Sequence, residues 1–288
     1  MFLYLKYLRP YQWVKNFLIF IPIISSHQIN EVTLKNSILA FISFCFISSV
    51  GYIINDIFDF KSDQNHPQKK NRPYASGKVT KSESIILIII LLTLVFLTSL
   101  NLNLEFLLTV LMYLILTTIY TVYIKQINIL DIITLSGFFT LRIYGGSQAT
   151  DIAISIWLLA FSVFFFFSLA SVKRQAEIVN ALKEKRSYLI GRGYNIKNIK
   201  LITSAVLISG YISIIILIFY INSTEVIKLY KNPNFLFGCC IVLFYWISRM
   251  AFVTHKGFMH HDPIIYAFTD KQSYVCLILI LLLITMSV

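Results

Sequence analysis

Charged residues are scarce in this sequence: they make up 13% of its 288 positions, whereas 57% are hydrophobic. Soluble domains carry roughly 25% charged residues, so the composition excludes an ordinary soluble globular protein. Most of the apolar stretches approach the ~20 residues that an α-helix needs to cross a ~30 Å hydrocarbon core. The sequence therefore predicts an all-α integral membrane protein.

Cysteine is also rare, and the four residues lie inside apolar segments without metal-ligand spacing (Cys45, Cys239, Cys240 and Cys276). We expect them to be reduced, small core residues. A signal-peptide cleavage site is missing as well. The first apolar stretch follows Lys6, Arg9 and Lys15 without a small-residue cleavage site, so we expect a retained helix.

Nine membrane spans are predicted from the apolar stretches. Acidic residues are few, since 13 Asp and Glu face 25 Lys and Arg, and the net charge is +12. With a cytoplasmic N-terminus, the cytoplasmic segments hold 21 of the 25 bases, as the positive-inside rule requires. The basic excess is therefore mostly topological and argues against a nucleic-acid partner. The predicted spans are 16–30, 35–58, 83–101, 104–123, 129–149, 153–173, 198–220, 235–254 and 272–288.

Two long charged segments, 59–82 and 173–200, follow the second and sixth predicted spans. Both lie on the cytoplasmic side in this topology, which suggests two four-helix repeats and a ninth helix. We therefore predict one transmembrane domain over 1–288, with nine transmembrane helices around a central cavity that opens to the cytoplasm. The two charged segments would face each other over this cavity.

Oxygen-bearing side chains are concentrated where the second predicted span ends. At 100° per residue, Asn55, Asp56, Asp59 and Asp63 fall within about 100° of one helical face. Aligned carboxylates repel one another unless a positive charge lies among them, and a hard divalent cation is the usual partner. The alternative is a solvated helix end before a basic loop. We favour a metal site for Mg²⁺, or for Mn²⁺. Tyr52, one turn earlier, either lines this pocket or is an interfacial tyrosine.

Basic residues follow these acids at once. Lys69 and Arg72 are placed to reach phosphate oxygens, and an arginine can bind two oxygens together. We assign Lys61, Lys78 and Lys81 to topology instead. Acids that hold a cation beside bases that hold phosphate predict a metal-bridged diphosphate site at a membrane surface.

A second polar group follows the sixth predicted span. Lys173 and Glu177 are one helical turn apart, which is also the spacing of an ordinary ion pair on a surface helix. We favour a functional interpretation in which Lys173 and Arg174 bind an anion while Glu177 orients them or joins the metal shell.

Five further polar residues are candidates for the same pocket. Lys15 and Asn16 begin the first span and could hold a lipid phosphate. Arg142 is a charge inside the fifth span, and an intramembrane arginine is a functional candidate by default. Lys125 and Asp131 flank the loop after the fourth span and could complete the pocket.

The residues at the end of the second span resemble the first aspartate motif of the UbiA-type intramembrane prenyltransferase superfamily: Asn55-Asp56-x-x-Asp59-x-x-x-Asp63. The resemblance implies a nine-helix fold. Most members attach a prenyl diphosphate to an aromatic acceptor and carry a second aspartate motif after the sixth span. This chain has no aspartate between Asp151 and Asp262, which argues against ordinary aromatic prenylation.

The chain is more similar to the decaprenyl-phosphate phosphoribosyltransferase branch, nearly end to end. The resemblance rests on the run from Leu8 to Asn16, the block from Asn55 to Gly77, Leu141-Arg142, Lys173-Arg174-x-x-Glu177, and the run from Lys256 to Pro263 with Asp270 beyond it. It implies a 5-phosphoribosyl-1-diphosphate (PRPP) donor and a polyprenyl phosphate acceptor. We predict that Asp56, Asp59, Asp63 and Lys173 are the catalytic residues, at the cytoplasmic face of the cell membrane. Two alternatives are an aromatic-acceptor prenyltransferase and a transporter of phosphorylated lipid.

Overall fold

A computed structural model describes residues 2–65, 69–189, 191–259 and 262–288, with the backbone alone at positions 2 and 225. Within these ranges the chain forms helices and no β-strand. The α-helices are α1 Phe2–Leu8, α2 Ile21–Ser25, α3 Glu31–Phe58, α4 Phe60–Gln64, α5 Lys81–Ser99, α6 Leu104–Val122, α7 Leu130–Thr150, α8 Ile156–Lys183, α9 Ile199–Ile221, α10 Thr224–Leu229, α11 Phe235–His255, α12 Pro263–Ala267 and α13 Lys271–Ser287. Short 3₁₀ helices cover Pro10–Phe20, Lys69–Asn71, Ile124–Gln126 and Ile196–Asn198.

Six helices in the described ranges are long and apolar enough to cross a membrane, and the protein is a multi-pass membrane protein. They are α3, α5, α6, α8, the helical stretch Ile196–Ile221, and α11. Helices also occupy the predicted spans 129–149 and 272–288. However, α7 carries an aspartate and an arginine, and α13 has only 17 residues. The count of nine spans stays a prediction.

The first predicted span, 16–30, is helical only as far as Ser25 and is not one continuous α-helix. A 3₁₀ helix runs over Pro10–Phe20, and α2 follows and ends at Ser25. Proline explains the start of each piece, because it lacks a backbone N–H and fits only the first turn of a helix. Pro10 and Pro22 both occupy such first-turn positions.

The long helices begin where a polar side chain caps them. The Asn30 side chain accepts hydrogen bonds from the backbone N–H of Val32 and Thr33 at 3.0 Å, and Thr33 Oγ1 accepts one from the Asn30 N–H. Thr80 and Glu83 form the same reciprocal arrangement at the start of α5. Such capping boxes satisfy backbone donors that have no partner within the helix.

The fold divides into two compact units by its internal contacts. Unit 1 comprises Met1–Ile127 and Leu141–Ala153, and unit 2 comprises Asn128–Thr140 and Ile154–Val288. In unit 1, α3 packs against α5, α6 and the first 3₁₀ helix. In unit 2, α8 packs against α9, and α11 packs against α9 and α13.

Glycine allows an unusually close approach within unit 1. A Cβ atom added at Gly146 would lie 2.1 Å from the carbonyl oxygen of Ile19. One added at Gly145 would lie 2.7 Å from the ring of Phe44. Membrane helices associate mainly by van der Waals packing, and small residues let their backbones come together. These glycines therefore fix the end of α7 against the first 3₁₀ helix and α3.

The four cysteines are buried and free of disulfides, as expected from the sequence.

Candidate active site

The three aspartates of the first motif lie at the junction of α3 and α4. Asp56 is in the last turn of α3, Asp59 caps its end, and Asp63 lies in α4. Backbone hydrogen bonds continue across the junction, from Asp59 N–H to Asn55 O at 2.9 Å and from Asp63 N–H to Asp59 O at 2.8 Å. The carboxylates are therefore spaced nearly as in a single helix.

Each of these carboxylates is paired with a base of unit 1. Arg72 Nη1 donates to Asp63 Oδ2 at 2.6 Å and to Asp56 Oδ1 at 3.2 Å. Arg9 Nη2 donates to the same Asp56 oxygen. The ammonium group of Lys125 donates to Asp59 Oδ1. We call these six residues the acid–base cluster: Arg9, Asp56, Asp59, Asp63, Arg72 and Lys125.

Two carboxylates of the cluster are buried, whereas Asp59 and Arg72 are partly exposed. Asp56 is 2% exposed and Asp63 is 1% exposed, whereas the side chain of Arg72 is 24% exposed. Asp56 Oδ2 is buried and accepts no hydrogen bond from any residue that the structure describes. A buried carboxylate oxygen without a partner is costly, and it is the kind of atom that a cation or a donor would take.

The oxygen atoms of the cluster are the kind of donor that a hard metal ion needs. Within the described ranges, no three His, Cys, Asp or Glu side chains are already arranged around a common metal position. Instead, each aspartate binds a base. The chemistry still fits a hard cation, because three carboxylates, one with an orphaned oxygen, and the nearby amide of Asn55 are oxygen ligands. In this arrangement the bases supply the positive charge that a cation would bring.

Three other predicted residues accompany the cluster. The Tyr52 ring lies 5.2 Å from the Arg9 guanidinium carbon, so it borders the cluster by a cation–π contact. Asn55 is half-buried one residue before Asp56, and Lys69 begins the 3₁₀ helix Lys69–Asn71. From the sequence, Arg9 was recognised only as a base before the first apolar stretch, so its contact with Asp56 was missed.

A separate polar group lies deeper in unit 1. Arg142 Nε donates to Asn16 Oδ1 at 2.7 Å, and Arg142 Nη2 donates to Tyr113 Oη at 2.8 Å. Asn16 in turn donates to Cys45 Sγ at 3.3 Å. All of these residues are buried, and so is Lys15. The structure thus brings together Asn16 and Arg142, two residues proposed to hold a lipid phosphate.

In unit 2, the buried Arg174 is the centre of an ionic network. Arg174 Nη2 lies 2.7 Å from Asp131 Oδ2 as an ion pair without an aligned hydrogen bond, and Arg174 Nη1 donates to Glu177. Tyr194 Oη donates to Asp131 Oδ1 at 2.6 Å and accepts from the Ile129 N–H at 2.6 Å. Burial, with the hydrogen bond to Asp131, raises the pKa of Tyr194, so its phenol stays a donor. This geometry favours positioning roles for Asp131 and Arg174.

Lys173 points to a different partner in unit 2. Its Nζ lies 3.3 Å from Asp262 Oδ2, and both side chains are partly exposed. Lys183 Nζ donates to the carbonyl oxygen of Gly257 at 2.5 Å, which fixes the segment before Asp262 to the end of α8. His260 and His261, part of the run that carried the resemblance, lie outside the described residues.

The model of the UbiA prenyltransferase family matches residues 18–269, and the chain belongs to this family. Its transferase class and its membrane location follow from that membership.

Two proteins similar to this chain carry different names, one a nodulation protein and the other a phosphoribosyltransferase. Nodulation protein NoeC of Azorhizobium caulinodans is 31% identical over 278 residues, which are 96% of this chain and 90% of that protein. The decaprenyl-phosphate phosphoribosyltransferase of Corynebacterium glutamicum is 34% identical over 186 residues, or 61% of this chain. The match spans about half of that enzyme, 54% of its length.

Solved structures agree on the fold. A UbiA homologue from Archaeoglobus fulgidus bound to GPP and Mg²⁺ superimposes with a TM-score of 0.72 at 16% identity, over 98% of this chain and 99% of that chain. At this identity the likeness defines the fold alone.

Proposed function

We propose that the protein transfers 5-phosphoribose from PRPP to a polyprenyl phosphate at the cytoplasmic face of the cell membrane and releases diphosphate. The observation that carries the proposal is the acid–base cluster, where buried carboxylates meet arginine and lysine at the end of an apolar helix. Support also comes from the similarity to enzymes named decaprenyl-phosphate phosphoribosyltransferase over 61% of this chain.

The acidic side of the cluster would hold the cofactor. Asp56, Asp59 and Asp63, with the amide of Asn55, would bind Mg²⁺, or Mn²⁺ in its place. When bound, such a cation stabilises the negative charge that develops on a leaving diphosphate. Lys69, Arg72 and Lys125 would bind the remaining phosphate charge, and arginine suits this role because its planar group can bind two oxygens.

The reaction needs no proton acceptor in this proposal. The bond from ribose C1 to the diphosphate oxygen breaks toward an oxocarbenium-like state, and an oxygen of the lipid phosphate forms the new bond to C1. That oxygen is already anionic, so no general base is required. Lys15, Asn16 and Arg142 are our candidates for holding the lipid phosphate. The products are polyprenyl-phosphoryl-5-phosphoribose and diphosphate.

Unit 2 is assigned supporting roles in the same proposal. Lys173 is our candidate there for binding a substrate phosphate, because its side chain is partly exposed and its ion pair with Asp262 is 3.3 Å long. Asp131, Arg174 and Glu177 would hold the start of the cytoplasmic segment in place.

Transfer of a prenyl group to an aromatic acceptor is the second candidate. It is favoured by the family's description and by the Archaeoglobus fulgidus homologue structures bound to DMAPP or GPP with Mg²⁺. In that reaction the same cluster would bind the diphosphate of the prenyl donor.

The two functions are separated by offering both donors to one preparation. Purified protein in liposomes receives labelled PRPP with a polyprenyl phosphate, or labelled prenyl diphosphate with 4-hydroxybenzoate. We expect label in the lipid only from PRPP. Label transferred only from the prenyl diphosphate would refute the proposal and establish the second candidate.

A further inference from the structure

Arg9 enters the acid–base cluster from an unfavourable turn. Its backbone is left-handed, with φ 56° and ψ 58°, directly before Pro10. A following proline disfavours the right-handed helical conformation, so α1 cannot continue through Arg9. A left-handed backbone at a residue with a Cβ persists only where the surroundings hold it, and such residues concentrate at functional sites.

The chain on both sides of Arg9 is anchored. On its N-terminal side, the buried Tyr7 Oη shares a hydrogen bond with Ser84 Oγ of α5 at 3.1 Å. On its C-terminal side, Trp13 Nε1 donates to Ser49 Oγ of α3 at 3.1 Å. Ser49 Oγ also lies 3.0 Å from the carbonyl oxygen of Leu8, as a donor. These contacts hold the turn against α3 and α5 and direct the guanidinium group to Asp56.

The charge around Asp56 is distributed unevenly. Arg9 and Arg72 both donate to Oδ1, while Oδ2 accepts nothing from the described residues. Buried carboxylates usually spread their donors over both oxygens, since each can accept two hydrogen bonds. Asp56 therefore has two counter-ions on one oxygen and no hydrogen-bond donor among the described residues on the other.

We propose that Arg9 is a substrate-binding residue that exchanges partners, leaving Asp56 for a phosphate oxygen of the diphosphate substrate once a divalent cation takes the Asp56 carboxylate. This inference rests on the diphosphate site of the proposed function. A cation and two guanidinium groups around one carboxylate repel one another. The mostly buried guanidinium must then find another anion, and a phosphate accepts two of its N–H groups. Cation and diphosphate therefore bind with positive coupling.

The first experiment removes the charge of Asp56 without any metal. Inorganic diphosphate is titrated calorimetrically into the purified protein in excess chelator. In Asp56→Asn, Arg9 loses its carboxylate partner while Arg72 keeps Asp63, so we expect binding about tenfold tighter than in the unmodified protein. Adding Arg9→Gln should remove most of this gain. Adding Lys78→Gln, a matched change at an exposed base outside the cluster, should retain it.

Two results of that titration would overturn the inference. One is an Asp56→Asn protein that binds diphosphate no more tightly than the unmodified protein. The other is a gain that stays within about twofold when Arg9→Gln is added, because the released charge would then belong to another residue.

A second measurement avoids variants that fail to fold. Phenylglyoxal labelling of the unmodified protein is followed at each arginine by mass spectrometry. Mg²⁺ alone should raise the labelling of Arg9 severalfold, and Mg²⁺ with inorganic diphosphate should suppress it. Arg249, bound by both Nη atoms to Asp270, serves as the internal standard. Arg9 labelling that is indifferent to Mg²⁺ would overturn the inference.

These readouts separate the inference from the proposed function. They use inorganic diphosphate and no lipid, so they stand if PRPP proves to be the wrong donor. Conversely, if phosphoribose is transferred to lipid but the labelling of Arg9 does not respond to Mg²⁺, the proposed function is supported and the partner exchange of Arg9 is refuted.

Discussion

The acid–base cluster of unit 1 and the Arg174 network of unit 2 differ in how deeply their ion pairs are buried. In unit 1, Arg72 is 24% exposed and Asp56 keeps an oxygen with no partner among the described residues. In unit 2, Arg174 and Asp131 are both 0% exposed and form an ion pair at 2.7 Å, and Tyr194 donates a hydrogen bond to the other Asp131 oxygen. We therefore expect the first group to exchange its partners for a ligand, whereas opening the second would expose two buried charges.

On this difference, we expect the acid–base cluster to bind a ligand and the Arg174 network to hold its helices in position. Both groups contain arginine, aspartate and a nearby aromatic ring, so composition alone does not distinguish them. Burial does, because a fully buried ion pair that loses one member leaves an uncompensated charge. Substitutions in unit 1 should therefore reduce activity first, and substitutions in the Arg174 network should reduce stability first.

Asp56→Ala should have the largest effect on activity. Loss of this carboxylate removes a cation ligand, and we expect turnover to fall at least 10²–10³-fold, as on loss of an electrostatic stabiliser. The protein should remain folded and monodisperse in detergent, measured by size-exclusion chromatography beside the transfer assay. Asp59→Ala should behave alike. Normal turnover in a purified, folded Asp56→Ala protein would refute the metal assignment.

Arg174→Ala should have the largest effect on stability. It leaves Asp131 buried and unpaired, which costs about 3–5 kcal/mol. Thermal unfolding in detergent measures the loss. Lys173→Ala, its partly exposed neighbour, is the matched control and should unfold near the temperature of the unmodified protein while binding substrate more weakly. Equal stability of the Arg174 and Lys173 variants would erase the distinction between the two groups.

Gly146→Ala in unit 1 and Gly210→Ala in unit 2 compare how tightly the helices of the two units are packed. The new methyl group would lie 2.1 Å from the backbone oxygen of Ile19, and a backbone atom cannot move away by a change of rotamer. We expect at least about 1–3 kcal/mol of destabilisation. Gly210→Ala in unit 2 meets Ile247 Cγ2 at 2.6 Å, a side chain that can rotate, so its cost should be smaller. Thermal unfolding of both variants tests the order, and the reverse order would contradict this packing.

Arg142→Ala should have the smallest and most selective effect. If the Arg142 group holds the lipid phosphate, the apparent KM for polyprenyl phosphate should rise about tenfold, equivalent to about 1.4 kcal/mol, while that for PRPP changes little. Tyr113→Phe removes only the hydroxyl that Arg142 contacts and should have a weaker effect in the same direction. Equal changes for both substrates would count against this role.

Sequence patterns predicted the parts of this molecule that depend on local composition. Apolar length identified the multi-pass membrane protein, and the aspartate spacing identified the family that the match over residues 18–269 establishes. The same spacing placed Asp56 and Asp63 on one side of the chain, where Arg72 now bridges them. The break at Asp59 and the 3₁₀ geometry after Arg9 depend on local backbone choices that apolar periodicity does not encode.

Contacts between distant residues could not be predicted in this way. Arg9 reaches Asp56 from a left-handed turn. Pro10, which follows Arg9, indicates locally that the helix ends there, but it does not indicate the contact with Asp56. Arg174 was expected to bind an anion, but its partner Asp131 lies on another helix. A single sequence shows which residues can pair, whereas packing decides which of them do.

The most direct test of the central claim follows both products of the reaction at once. Purified protein in liposomes that contain polyprenyl phosphate receives PRPP labelled in the ribose, and labelled lipid and free diphosphate are both quantified. We expect equal amounts of the two, with neither formed in excess chelator or by Asp56→Ala. Ribose label that never enters the lipid, or transfer that persists without divalent cations, would contradict the account.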